Sequence, residues 1–280
     1  MKKYLLFFVV LCSGFGANGA GVVLSDTSVS EEPFVEPKSE QVYTNYQSQS
    51  NSYVEMQPVF TDIISNDTSD PLFMSGDNRV LSDTYVYFYD RKIRFGQYLD
   101  YGINNNFVLH ANILYQLDTS GRDENGFSST EFGGVYRMSH GQNSSRIISD
   151  VLFGLKLWGS SHVRTPEYAD SSYYAGLRFG RRYTGVTLAG TVKSTWVFDD
   201  ARGLSYIDFI PEAYFRFIYD WRGGIGFDFR KSTNTHLLRD QEWLDLKLIK
   251  QFGNTQWVGR FDYEFESSEI QFGGNVKILF

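Results

Sequence analysis

Hydrophobic and polar residues alternate along most of the chain from about residue 84 onward. The clearest stretch is QWVGRFDYEFE, residues 256–266, in which the odd positions are aromatic or Gly and most even positions are charged. Because successive side chains of a β-strand point to opposite faces, this stretch predicts a strand with one aromatic face and one charged face. The same alternation recurs in FVLHANILYQL (107–117), VTLAGTVKSTW (186–196) and RGGIGFDFR (222–230).

Twelve segments show this alternation, and the gaps between them are mostly long and polar on one side and mostly tight on the other. A soluble sandwich also alternates, but here the apolar positions are nearly all large out to the last residue. Long loops at one end and short turns at the other are typical of a membrane barrel. We therefore predict an all-β fold, a transmembrane antiparallel up-and-down β-barrel of about 12 strands within residues 81–280. The predicted strands are 84–90, 93–101, 107–117, 131–138, 147–158, 172–181, 185–198, 206–218, 222–230, 242–251, 256–266 and 270–280.

Residues 1–20 have the pattern of a secretory signal peptide. Two lysines precede an apolar run that ends at Cys12, and small residues follow. The run is too short for a spanning helix, which needs about 20 residues. A lipid anchor at Cys12 is the alternative, although Leu11 is bulky where such signals carry a small residue. Because Cys12 is the only Cys, cleavage near residue 20 would leave no disulfide and no thiolate metal ligand.

Residues 21–80 differ from the rest of the chain in charge and in the pattern of apolar and polar residues. They carry ten acidic side chains against Lys38 and Arg79, and they show no periodicity. We predict an acidic, disordered periplasmic segment, with folding into the mouth of the barrel as the alternative. The chain has no basic block, so no nucleic-acid partner is expected. The mean hydropathy of −0.31 argues against a helical membrane protein, whereas a barrel with a polar lumen is compatible with it.

The last strand, EIQFGGNVKILF, ends on an aromatic residue and is apolar or Gly at every second position. With the signal sequence and the alternating strands, this ending resembles that of Gram-negative outer-membrane β-barrel proteins. The resemblance implies a bacterial outer-membrane location, contact with outer-membrane lipid, and recognition by the barrel-assembly machinery. It also implies a sorting signal formed by Phe280, Ile278, Val276 and Phe272.

The polar positions of the predicted strands face the enclosed side of such a barrel and carry both signs of charge. One interpretation is a passive, porin-like channel whose charged wall selects small polar or anionic solutes. The alternative is a non-conducting structural or surface-interaction barrel with a salt-bridged lumen. The pore-lining candidates are Arg137, Lys156, Arg178, Lys193, Glu212, Arg216, Asp228, Arg230, Asp245, Lys247, Arg260, Asp262, Glu264 and Lys277.

The sequence predicts no catalytic site, cofactor or metal site. A lipase on such a barrel needs a Ser–His pair facing lipid, but the alternation turns His110 inward. An outer-membrane protease would need Asp and His side chains at the outer rim, and predicted loops do contain Asp199, Asp200, His162 and His236. Loops are commonly rich in these residues, so the interpretation remains a non-enzymatic barrel.

Overall fold

The computed structural model describes residues 67–89, 91–119, 125–141, 147–159, 171–198, 205–217, 220–233 and 239–280. Within these ranges the ordered elements are twelve strands. They are β1 (Val80–Tyr89), β2 (Lys92–Asn104), β3 (Phe107–Asp118), β4 (Gly126–His140), β5 (Ile148–Trp158), β6 (Ser172–Tyr183), β7 (Val186–Val197), β8 (Ser205–Arg216), β9 (Trp221–Ser232), β10 (Gln241–Phe252), β11 (Thr255–Glu264) and β12 (Ile270–Leu279).

Each strand pairs antiparallel with its neighbours in the chain, and β1 closes the sheet by pairing with β12. The closing register runs from Leu81 opposite Leu279 to Tyr89 opposite Gln271. Closure leaves no unpaired strand edge. The predicted fold class, a twelve-stranded up-and-down barrel, is confirmed. No helix long and apolar enough to cross a membrane occurs in the described part of the chain.

Two strands begin four or more residues earlier than the sequence predicts. β4 begins at Gly126 rather than 131, because polar residues at its start hide the alternation. β1 begins at Val80 rather than 84, and its aromatic residues fall on both faces. Its tyrosines point to the enclosed face, where the Tyr85 hydroxyl donates to Asn112 of β3 across the intervening strand, 2.9 Å away.

The two ends of the barrel differ in their connections. At the short-turn end, β6 joins β7 and β10 joins β11 through two residues each, with positive φ at Gly185 (77°) and Gly253 (57°). Glycine adopts this backbone conformation without a steric penalty. Val80 and Phe280 also lie at this end. The other end, here called the long-loop end because most of its connections are longer, holds the connections that follow β1, β3, β5, β7, β9 and β11; the first of these contains two residues.

The outer face of the barrel is largely apolar. Trp257 is 60% exposed and Leu248 is 55% exposed, although neither lies near a chain end. An apolar surface of this extent requires a nonpolar environment such as lipid. Other exposed residues of this face are Leu99, Ile113, Phe132, Phe153, Leu177, Phe209, Phe261 and Phe272.

Residues 67–79, here called the inserted segment, precede β1 and lie inside the short-turn end. Leu72 is fully buried and packs against Ile148 and Ala189, on strands β5 and β7. Further contacts join Met74 to β3 and β4, and Phe73 to β1 and β12. These residues belong to the acidic segment 21–80, and residues 21–66 of that segment lie outside the described residues.

Candidate functional site: the ion-paired lumen

The enclosed face of the barrel is densely charged. Among the described strand positions, its basic side chains are Lys92, Arg94, Arg137, Lys156, Arg178, Arg182, Lys193, Arg216, Arg222, Arg230, Lys247, Arg260 and Lys277. Its acidic side chains are Asp83, Asp100, Asp118, Glu131, Asp150, Asp208, Glu212, Asp228, Asp245, Asp262 and Glu264. Over these positions the wall therefore carries two more basic than acidic groups.

Asp150 lies between two arginines from neighbouring strands. Its carboxylate accepts from Arg137 Nε at 2.9 Å and from Arg178 Nη2 at 2.6 Å, and the side chain is fully buried. The guanidinium of Arg137 also donates to the carbonyl of Leu72, 2.6 Å away. This ion pair therefore connects the wall to the inserted segment.

A second group of ion pairs surrounds Asp208 of β8. Arg230 Nε lies 2.6 Å and Lys193 Nζ 3.3 Å from its carboxylate. The Arg230 guanidinium also stacks over the ring of Tyr206 at 4.3 Å. Both signs of charge are thus paired along the wall from β7 to β9.

A third group runs along the enclosed face from β8 to β11. Lys247 Nζ lies 3.2 Å from Glu212 and 3.0 Å from Asp245. Asp245 also accepts from Arg260 at 3.1 Å, and Arg260 reaches Asp262 at 2.9 Å. Acidic and basic groups alternate through these five residues, so each charge has an opposite neighbour.

His110 faces the lumen, as the alternation of β3 predicts. Its Nε2 lies 2.9 Å from the Tyr174 hydroxyl, which donates to Glu131 at 2.8 Å. The Tyr174 ring lies across Gly154, where a Cβ would come within 2.5 Å of it. A glycine at this position therefore lets the tyrosine lie flat along the wall.

The inserted segment places two carboxylates among arginines at the short-turn end. Asp70 Oδ2 accepts from Arg182 Nε at 3.2 Å, Arg216 Nη2 at 3.0 Å and Thr187 at 2.8 Å. Asp70 Oδ1 accepts from the Leu72 amide, 2.8 Å away, which shapes the local turn.

Asp67 also contacts arginines at this end of the barrel. Its Oδ2 lies 3.3 Å from Arg216 Nε and 3.4 Å from Arg222 Nε. Its Oδ1 accepts from Tyr214 and from Gln256 Nε2, the latter at 2.8 Å. We call Arg182, Arg216 and Arg222 the arginine cluster.

The remaining pore-lining candidates also lie on the enclosed face. Lys277 donates to the Thr68 carbonyl at 3.2 Å, and Glu264 lies 3.3 Å from Arg239 at the long-loop end. Lys156 is in register with Glu131, and Asp228 with Trp243. All fourteen candidates thus share this face, and their role in conduction stays a prediction.

The four residues of the predicted sorting signal lie on the outer face of the last strand or just beyond it. Phe280 is 69% exposed and Phe272 is 56% exposed, and Val276 and Ile278 share their face. Phe280 exchanges backbone hydrogen bonds with Val80, at 2.8 and 3.3 Å. Recognition of this strand by the barrel-assembly machinery stays a prediction.

The described residues add no catalytic or metal candidate to the lumen. No group of three or more His, Cys, Asp or Glu side chains in the described part of the chain is placed to hold a metal ion. The loop residues Asp199, Asp200, His162 and His236 lie outside the described residues.

The carboxylates of the inserted segment could not be assigned to the lumen from the sequence. Asp67 and Asp70 are two of ten acids in a stretch without periodicity, and their partners lie more than 100 residues away in the chain. The feature of the sequence that points to this contact is the small basic excess of the predicted lumen, which lies next to a strongly acidic segment in the chain.

No protein-family model matches the chain, and no curated protein matches its sequence. Among solved structures, a NanC porin is similar with a TM-score of 0.53 and 9% identity, over 70% of this chain and 98% of the porin. An outer-membrane channel from Pseudomonas putida F1 is similar with a TM-score of 0.52 and 10% identity, over 76% of this chain and 99% of the channel. At such identities the likeness concerns the fold alone. The chain therefore has the fold of a bacterial outer-membrane β-barrel.

Proposed function

We propose that this protein is a passive outer-membrane channel for small polar or anionic solutes. The observation that carries the proposal is the enclosed face of the closed barrel, whose strand side chains carry a basic excess of two that Asp67 and Asp70 of the inserted segment balance. With the segment displaced, such a wall raises the local concentration of anions and favours their entry. The two similar structures are named as a porin and a channel, which supports transport and gives no reason to propose a catalytic step.

We also propose an orientation for the barrel in the outer membrane. Both ends of the barrel sheet lie at the short-turn end, and outer-membrane barrels place short turns on the periplasmic side. The inserted segment would then enter the lumen from the periplasm, and the long loops would face outward.

The alternative is a non-conducting barrel with a structural or surface-interaction role. The paired charges from Glu212 to Asp262 and the inserted segment favour it, because both fill lumen space. Reconstitution of the purified full chain in planar bilayers separates the two functions. A channel gives discrete openings and a reversal potential that favours chloride in a salt gradient. Electrical silence of both the wild type and the Asp67→Asn, Asp70→Asn double variant, from protein that still migrates as a heat-modifiable barrel, would support the alternative.

A further inference from the structure

Three arginines from three strands converge where the inserted segment enters the barrel. Arg182 and Arg216 lie near the ends of β6 and β8, and Arg222 lies at the start of β9. Arg216 bridges the two carboxylates of the segment, with Nε toward Asp67 and Nη2 toward Asp70. A guanidinium that binds two carboxylates at once has the geometry to hold a small dicarboxylate.

The neutral donors around the arginine cluster also come from the wall. Thr187, Tyr214 and Gln256 donate to the same two carboxylates, and each of these three side chains is almost fully buried. The donors are carried by three strands of the barrel and converge on the two carboxylates of the segment. A convergent set of neutral and cationic donors is characteristic of a binding site for an oxyanion.

The charges of the arginine cluster require an anion. Arg182 is 10% exposed and Arg222 is 16% exposed, so neither is well solvated. A buried charge that loses its partner is strongly unfavourable. The segment supplies two carboxylates to a wall that carries two excess basic groups. Departure of the segment would remove two carboxylates from the arginine cluster and open it to solvent, where another anion can bind.

We propose that the arginine cluster is a binding site for small dicarboxylates, which the protein's own Asp67 and Asp70 occupy in this structure. A dicarboxylate solute competes with these side chains and displaces the inserted segment from the short-turn mouth. The inference rests on the proposed channel function and adds to it a ligand class and a means of opening.

The test is binding of succinate to the refolded full chain by titration calorimetry, with acetate as the monovalent comparison. The double variant Asp67→Asn with Asp70→Asn should bind succinate at least about tenfold more tightly than the wild type, since no internal carboxylate competes. Adding Arg216→Gln should remove that gain. Asp77→Asn serves as the control, because it removes one acid of the same segment outside the cluster. Equal succinate affinity in the wild type and the double variant would overturn the proposal.

A second variant keeps the test independent of whether the double variant folds. In a Cys12→Ser background, Leu72→Cys with Ala189→Cys joins the segment to the wall at an existing contact. The oxidised protein should neither bind succinate nor open in its presence, and reduction should restore both. Succinate binding that is unchanged by oxidation would contradict the displacement. If no variant conducts in chloride although succinate still binds, the channel function fails and the anion site stands.

Discussion

Gly102 of β2 lies directly against Gly76 of the inserted segment. A Cβ built on Gly102 would come 1.5 Å from the Gly76 carbonyl oxygen, much closer than two such atoms can approach. The contact is reinforced by backbone hydrogen bonds from the Asn78 amide to the Gly102 carbonyl (2.8 Å) and from the Gly102 amide to the Arg79 carbonyl (2.9 Å). The last residues of the segment therefore fit the wall only because position 102 has no side chain.

Gly102→Ala should displace the inserted segment without opening the barrel. The new methyl group clashes with backbone, which cannot rotate away as a side-chain tip can. Ser75 is fully buried, so Ser75→Cys in a Cys12→Ser background reports the displacement through its rate of reaction with a polar maleimide. We expect a severalfold faster reaction in the Gly102→Ala protein.

The matched control for this prediction is Gly259→Ala. A Cβ at Gly259 would meet only the Leu248 carbonyl oxygen, at an ordinary 3.9 Å. The Ser75→Cys reaction rate should therefore be unchanged. An equally slow reaction in the Gly102→Ala protein would show that the segment tolerates the added methyl group.

Asp150→Asn should destabilise the barrel strongly. The substitution removes the carboxylate that pairs with both Arg137 and Arg178, and it leaves two poorly solvated guanidinium groups. Breaking a buried ion pair in this way costs about 3–5 kcal/mol. The free energy of unfolding, measured by urea denaturation of the refolded protein in micelles, should fall by that amount.

Asp240→Asn is the comparison for Asp150→Asn. Asp240 pairs with Lys231, whose side chain is 79% exposed, so solvent screens the interaction. Its loss should leave the urea midpoint nearly unchanged. Similar midpoints for the two variants would mean that water solvates the Asp150 site far better than its burial indicates.

The faces of the strands could be predicted from the sequence because lipid and lumen impose opposite chemistry on alternate residues. Phe261 and Asp262 are adjacent in the chain, yet one is exposed on the apolar outer face and the other is ion-paired inside. This contrast repeats at nearly every strand position. Whether a residue is odd- or even-numbered within its strand is therefore enough to assign it to the outer face or to the lumen. Strand ends carry less of this contrast, and the boundaries of β1 and β4 were accordingly wrong by several residues.

The inserted segment could not be predicted in the same way. Its position depends on contacts such as Asp70 to Arg216 and Leu72 to Ile148, which join distant parts of the chain. Those contacts follow no local period. Composition indicated only that an acidic segment precedes a slightly basic lumen, and it did not indicate which carboxylates would enter.

Leu246→Arg should be strongly destabilising, because Leu246 lies at mid-height of β10 on the outer face. An arginine at the centre of the lipid face of such a barrel costs about 2–4 kcal/mol. Lys247→Arg is the control, since the next residue faces the lumen and keeps its charge and its acidic partners. The free energy of unfolding, measured in lipid vesicles, should fall for Leu246→Arg and stay unchanged for Lys247→Arg. If both variants were as stable as the wild type, residue 246 could not face the lipid.

Deletion of Phe280 should reduce assembly of the barrel into the outer membrane. Phe280 exchanges two backbone hydrogen bonds with Val80 at the seam between the first and last strands, and its ring is 69% exposed on the outer side. Its loss weakens closure of the seam and removes the final residue of the proposed sorting strand. The measurement is the fraction of heat-modifiable protein in outer-membrane preparations. Phe252→Ala removes a comparably exposed ring from the same end but leaves the seam intact, so its assembled fraction should stay near that of the wild type. Normal assembly after deletion of Phe280 would show that neither the seam bonds nor the terminal aromatic ring is required.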